Sequence, residues 1–199
     1  MKRSLALTLL LALLLVSPAA AFSDVAEWAW YAPAVAHVRE AGLMKGVGDD
    51  RFDPDGIVSR GMLAAVLHRL AGSPHSMAGL EFDDIQAGTW YADAVVWCGE
   101  AGVATGVDPT HFAPDAPVTR EQVALMLWRT AGWPESGAMA IFWDGGQINE
   151  WSRLGVDWTV RAGVVTGKAD GSFDPQGWAT RAEIAQMLMK YDLWKSWQP

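Results

Sequence analysis

The chain has 199 residues and a formal charge of −8, with 51% hydrophobic residues and twelve tryptophans. Such an acidic balance excludes the sequence-independent nucleic-acid binding that a broad basic surface supplies. The single cysteine, Cys98, excludes an internal disulfide, so stability must come from packing.

Lys2 and Arg3 precede an apolar run from Leu5 to Val16, and Ala19-Ala20-Ala21 follows it. That is the layout of a secretory signal peptide, and the run is shorter than the roughly 20 residues of a membrane-spanning helix. Residues 1–21 are therefore expected to be cleaved, leaving a mature chain that begins at Phe22; without Lys2 and Arg3 its charge falls from −8 to −10. No later stretch is long and apolar enough to span a membrane.

From Phe22 the sequence repeats itself three times. The copies open on "FSDV" (22–25), "FDDI" (82–85) and "FWDG" (142–145), with a tryptophan at Trp30, Trp90 and Trp151. Helical spacing follows: Tyr31, Ala34, Val35 and Val38 share one face, as do Tyr91, Ala94, Val95 and Cys98, and more weakly Ser152, Gly155, Val156 and Thr159. Gly42, Gly102 and Gly163 are placed to stop these helices. A loop through "RFDP", "HFAP" and "SFDP" then sets Phe52, Phe112 and Phe173 as plugs against the core.

A second helix begins at "VSRGM" (58–62), "VTRE" (118–121) and "ATRAE" (179–183), whose arginines Arg60, Arg120 and Arg181 lie 60 and 61 residues apart. Thr119 with Gln122 and Thr180 with Glu183 have the spacing of a capping box. In the first copy Ser59 caps alone and Gly61 weakens the first turn, so that helix start is expected to be the loosest. Leu63, Val66, Leu67 and Leu70 define the buried face, matched by Val123, Met126 and Leu127 and by Ile184, Met187, Leu188 and Tyr191. The predicted repeats are 22–74, 82–134 and 142–194; none buries its apolar face alone, but three together do.

The opening "F-x-D", the tryptophan before helix one, "G-x-x-x-G", "D-G-x-F-x-P" and "T-R-A-E" together resemble the S-layer homology family. The fullest match is "ADGSFDPQGWATRAE" at 169–183. The resemblance implies an all-α, pseudo-threefold module of three helix–loop–helix repeats packed around a central helical bundle, with ligand grooves between the prongs. It also implies non-covalent attachment to cell-wall polysaccharide, often carrying acidic, pyruvylated sugars.

A pyruvyl carboxylate suits an arginine fork, and a helix N-terminus offers unpaired amides to the same group. By residue type alone Arg60, Arg120 and Arg181 either take that role or pair with a carboxylate of a neighbouring repeat. The resemblance favours ligand contact at Arg120 and Arg181 and leaves Arg60 open, because "SRGM" departs from the family pattern. Trp178 is expected as a sugar platform beside Arg181, while Asp49 and Asp170 shape turns or accept sugar hydroxyls. Trp30, Trp90 and Trp151 are expected as core wedges, and Asp24 and Asp84 as caps of local backbone groups.

Three other readings compete. A glycosidase needs two carboxylates across one cleft, and the acids outside the repeat pattern, such as Glu135 and Glu150, lie in linkers. A calcium site at Asp49, Asp50, Asp53 and Asp55 lacks the alternation and terminal glutamate of an EF-hand loop. Homo- or hetero-association at the cell surface is the third. The expectation is a non-catalytic, cofactor-free wall-binding module.

Overall fold

The computed structural model describes residues 22–79 and 82–198, so the segment read as a signal peptide lies outside the described residues. Six α-helices follow one another: α1 (Ala32–Glu40), α2 (Arg60–Leu70), α3 (Ala92–Glu100), α4 (Arg120–Thr130), α5 (Arg153–Arg161) and α6 (Arg181–Ser196). The chain is all-α; among the described residues, extended pairing is limited to isolated bridges.

The local signals act as the residue types dictate. The first helix of each copy ends at Gly42, Gly102 or Gly163 with φ of 68°, 67° and 71°, where a side chain would be strained. Ser59, Thr119 and Thr180 accept the amides of Met62, Gln122 and Glu183, and the reciprocal bond closes a full capping box at Thr119 and Thr180. Phe52, Phe112 and Phe173 are completely buried, each against the phenylalanine that opens its own copy, with ring centroids 5.3–5.6 Å apart.

What the local pattern does not convey is how the copies close on one another. The amide of Val58 bonds to the carbonyl of Ala179, that of Ala179 to Val118, and that of Val118 to Val58, making a closed triangle of backbone bonds. From this triangle α2, α4 and α6 depart. Each then packs against the first helix of the next copy: α2 on α3, α4 on α5, and α6 back on α1. The repeat seen in the sequence is thus not the unit seen in space; every helix pair is made by two copies. His37 and Asp192, 2.9 Å apart, link α1 to α6 where the ring closes.

The third copy approaches its neighbour most closely. Gly155 on α5 takes the place of Ala34 and Ala94, and a Cβ there would lie 2.6 Å from the Leu125 Cα. Alanine would gain about 1 kcal/mol of helix propensity, but overpacking costs about 1–3 kcal/mol. Gly155→Ala is expected to lower the midpoint of chemical denaturation, even though alanine normally favours a helix.

Candidate functional site

Each arginine at the start of a second helix reaches into the loop of the next copy. Arg60 donates from Nε to the Phe112 carbonyl and from Nη2 to the Thr105 carbonyl, both at 2.9 Å. Arg120 does the same to Phe173 and Thr166, at 2.8 and 3.0 Å, and Arg181 to Phe52 and Lys45, at 2.6 and 2.7 Å. The guanidinium carbons stand 4.5–5.3 Å from the ring centroids of the phenylalanine plugs. Arg60 and Arg120 are buried. Burial pushes the guanidinium of Arg60, and likewise that of Arg181, below its usual value, yet arginine remains charged at neutral pH.

The arginines therefore join the copies, through carbonyls rather than the carboxylates considered from residue type. Among the described residues only Arg120 of the three adds an ion pair, from Nη1 to Glu183 at 2.8 Å. The helix N-termini are occupied as well. The amides of Arg60 and Gly61 bond to Ala116 and Pro114, those of Arg120 and Glu121 to Gly177 and Pro175, and those of Arg181 and Ala182 to Gly56 and Pro54. With the third amide taken by the cap, no first-turn donor is left for an anion; the helix-terminus component of the expected site is corrected on this ground. Gly61 also has a reason beyond weak propensity: a Cβ there would meet the Pro114 carbonyl at 3.1 Å and Tyr91 at 3.4 Å.

Two clefts remain open beside these joints. The first, of about 470 Å³, is lined by Arg60 with the 104–107 loop, by Gln122, Leu125 and Arg129 of α4, and by Trp151. The second, of about 530 Å³, is lined by Arg120, by Thr166 and Lys168, by Gln186 and Lys190 of α6, and by Trp30. Each draws on all three copies. At the corresponding third place stand Arg181, Met62, Arg69 and Trp90, with Arg69 turned onto the Leu43 carbonyl at 2.7 Å.

The tryptophans correct an expectation. Trp30, Trp90 and Trp151 are 62%, 63% and 51% exposed, so none is a core wedge, and Trp30 and Trp151 are cleft walls. Their hint in the sequence was position: each stands one residue before the apolar stripe of the first helix, outside it. Trp178 is 61% exposed and pairs through its backbone with Thr119; it lines neither cleft. Asp49 lies at an exposed loop tip with φ of 46°. Asp170 accepts the Ser172 hydroxyl and amide, which holds its carboxyl below the ordinary range and fixes a turn. Among the described residues, no group of three or more His, Cys, Asp or Glu is placed to hold a metal. Cys98 is buried, which pushes its thiol up to about 12 and leaves it inert as a nucleophile.

The aspartates of "F-x-D" span more chain than expected. Asp24 accepts the amides of Phe52 and Asp53, Asp84 those of Phe112 and Ala113, and Asp144 those of Phe173 and Asp174, about 30 residues downstream in each case. At Asp24 and Asp84 burial acts to raise the carboxyl pKa, but the amide bonds together outweigh it and the net direction is down. A folded-state pKa below the unfolded value contributes stability above the unfolded value, about 3.9, and loses it as pH falls through the folded one. Denaturant melts are expected to weaken from about pH 4 downward. Asp84→Asn should be less stable at neutral pH and show a flatter acid limb.

A family model described as S-layer homology domain matches residues 21–61, 81–124 and 144–185. The surface-layer 125 kDa protein of Lysinibacillus sphaericus is 29% identical over 88% of this chain, covering 15% of that protein. The S-layer protein of Bacillus licheniformis is 29% identical over 67% of this chain and 15% of its own length. The amylopullulanase of Thermoanaerobacterium thermosulfurigenes is 28% identical over 84% of this chain and 9% of its own. The chain thus spans less than a fifth of each of these relatives. Three matched copies, each holding the arginine joint and the aspartate-bound loop, account for most of the chain described above: it belongs to the S-layer homology family.

Proposed function

We propose that the chain attaches non-covalently to the cell wall by binding a secondary wall polysaccharide with acidic, pyruvylated sugars in its inter-repeat clefts. The family is one of cell-surface proteins, and wall anchoring in general follows from membership; the ligand is the proposal. The observation that carries it is the pairing, in each cleft, of a fixed guanidinium with an exposed tryptophan from a different copy. An indole face covers the apolar side of a sugar ring while the cationic wall receives a carboxylate. The guanidinium and indole of each cleft supply what binding and orientation need, which supports an anchoring reading.

Arginine replacement is a poor test, because each arginine also joins two copies. The exposed tryptophans separate the roles. Trp30→Ala combined with Trp151→Ala is expected to keep the fold, by near-ultraviolet circular dichroism, and to abolish sedimentation with wall sacculi. Equal pelleting of the unaltered protein with native sacculi and with sacculi stripped of secondary polymer would discard the reading. A protein partner is favoured by a different set, Trp28, Met77 and Ile141, which are 85–91% exposed and line neither cleft. Concentration-dependent sedimentation velocity that survives the two tryptophan changes would support that second reading.

A further inference from the structure

The two clefts share an outline and differ in their polar groups. In the first, Arg60 and Arg129 face the space with no carboxylate partner among the described residues. Arg60 spends Nε and Nη2 on loop carbonyls, which leaves Nη1 without an acceptor among the described residues. Arg129 stacks 5.0 Å from the Trp133 ring centroid, and its Nε is buried without any hydrogen-bond partner. Two guanidinium groups without a carboxylate of their own thus line this cleft, and an anionic acceptor suits both forks.

The second cleft has the opposite character. Its Arg120 is already neutralised by Glu183, and Lys168 is paired with Asp174. Among the described residues Lys190 is the remaining cation of this cleft, a flexible ammonium rather than a fixed fork. Beside it Gln186 lines the cleft with an uncharged amide, a group that hydrogen-bonds the hydroxyl and acetamido groups of a neutral sugar.

We propose that the clefts divide the polymer between them: the first takes the carboxylate-bearing sugar and the second a neutral, donor-rich sugar of the same chain. Arg129 and Gln186 are the residues that set this difference. Their counterparts show how it arose within one repeat pattern, since the three second helices carry Arg69, Arg129 and Lys190 at one position and Ala65, Leu125 and Gln186 at another. The assignment rests on the wall-binding reading and ranks the Arg60 cleft above the Arg120 cleft for the acidic group.

The test follows the indole N–H signals of Trp151 and Trp30 in nitrogen-15 spectra, one reporter per cleft. The probes are the methyl glycoside of a pyruvylated N-acetylhexosamine and the same sugar without its ketal. The acidic probe is expected to shift Trp151 at concentrations that leave Trp30 unmoved, and the neutral probe the reverse. Arg129→Met should weaken the acidic probe about tenfold or more without changing the neutral one. Gln186→Leu should do the converse. Arg129→Lys, which keeps the charge and loses the fork, guards against a folding defect and should give an intermediate loss. An acidic probe that moves Trp30 first or equally, or leaves Trp151 still, overturns the division, as does an Arg129→Met protein that binds it normally. Sacculus sedimentation run in parallel tells the two failures apart: retained wall binding with a failed division keeps the function, and loss of both discards it.

Discussion

Residues 22–134, expressed without the third copy, are expected to have no stable tertiary structure. A linear stack of repeats loses one interface on truncation and keeps the rest. This ring loses far more. The fragment removes α6 from α1 and α5 from α4, so two of its four helices lose their main partner. The amides of Val58, Arg120 and Glu121 lose their acceptors at Ala179, Gly177 and Pro175. Arg120 loses two carbonyls and Glu183 together, leaving a guanidinium that was 3% exposed without its partners. The larger loss is apolar, because α1 and α4 expose the faces they bury against α6 and α5, at about 1.5–3 kcal/mol for each large side chain uncovered, against a typical domain stability of about 5–15 kcal/mol. Loss of the near-ultraviolet tryptophan signal in the fragment, against a single cooperative transition in the whole chain, is the expected pair of results. A fragment that melts cooperatively would show that the copies fold independently.

Much of this architecture is legible in the residues. Capping boxes, glycine stops, phenylalanine plugs and the buried faces of α2, α4 and α6 depend on neighbours within a few positions, where spacing carries the signal. Partner choice does not. The stripe Leu63, Val66, Leu67 states that α2 buries one face, and nothing in its period states that α3, rather than α1, covers it. The same limit explains the arginines and aspartates. Residue type marks Arg60 as a donor and Asp24 as an acceptor, but carbonyls and amides are present at every residue, so the sequence cannot single out Phe112 or Phe52 as the partner. The tryptophans failed for a different reason: large aromatic residues are usually at least partly buried, and that prior outweighed their position outside the apolar stripe. The wall of each cleft was hidden by the same ring topology, because its residues come from all three copies.

Glu121→Ala is expected to destabilise the protein by about 2–5 kcal/mol, at about 1–3 kcal/mol for each buried donor left without an acceptor. Glu121 is 2% exposed on the second position of α4, where the other copies carry Gly61 and Ala182. Its two oxygens accept the amide and side chain of Asn149 at 3.0 and 2.7 Å, the Ser152 hydroxyl at 2.8 Å and the Gln176 amide at 3.2 Å. The carboxylate thus receives the stretch that makes the third copy one residue longer, which Arg153 also ties down through the Gly145 and Ile148 carbonyls. Size is exchanged across this joint. Where the first helix is preceded by Tyr91 the facing residue is Gly61, and where it is preceded by the smaller Ser152 the facing residue is Glu121. Alanine would leave the backbone and side-chain amides of Asn149 with no acceptor, reduce the Ser152 hydroxyl and the Gln176 amide to the Asn149 and Gln147 carbonyls, and open a void where the tyrosine ring lies in the other copy. Glutamine keeps one acceptor oxygen but turns its amide toward two of those donors, so Glu121→Gln should fall between the native protein and Glu121→Ala in urea melts. If alanine costs less than about 1 kcal/mol, the usual worth of a single neutral hydrogen bond, the long stretch is held by Arg153 and its own turns and Glu121 is a spectator.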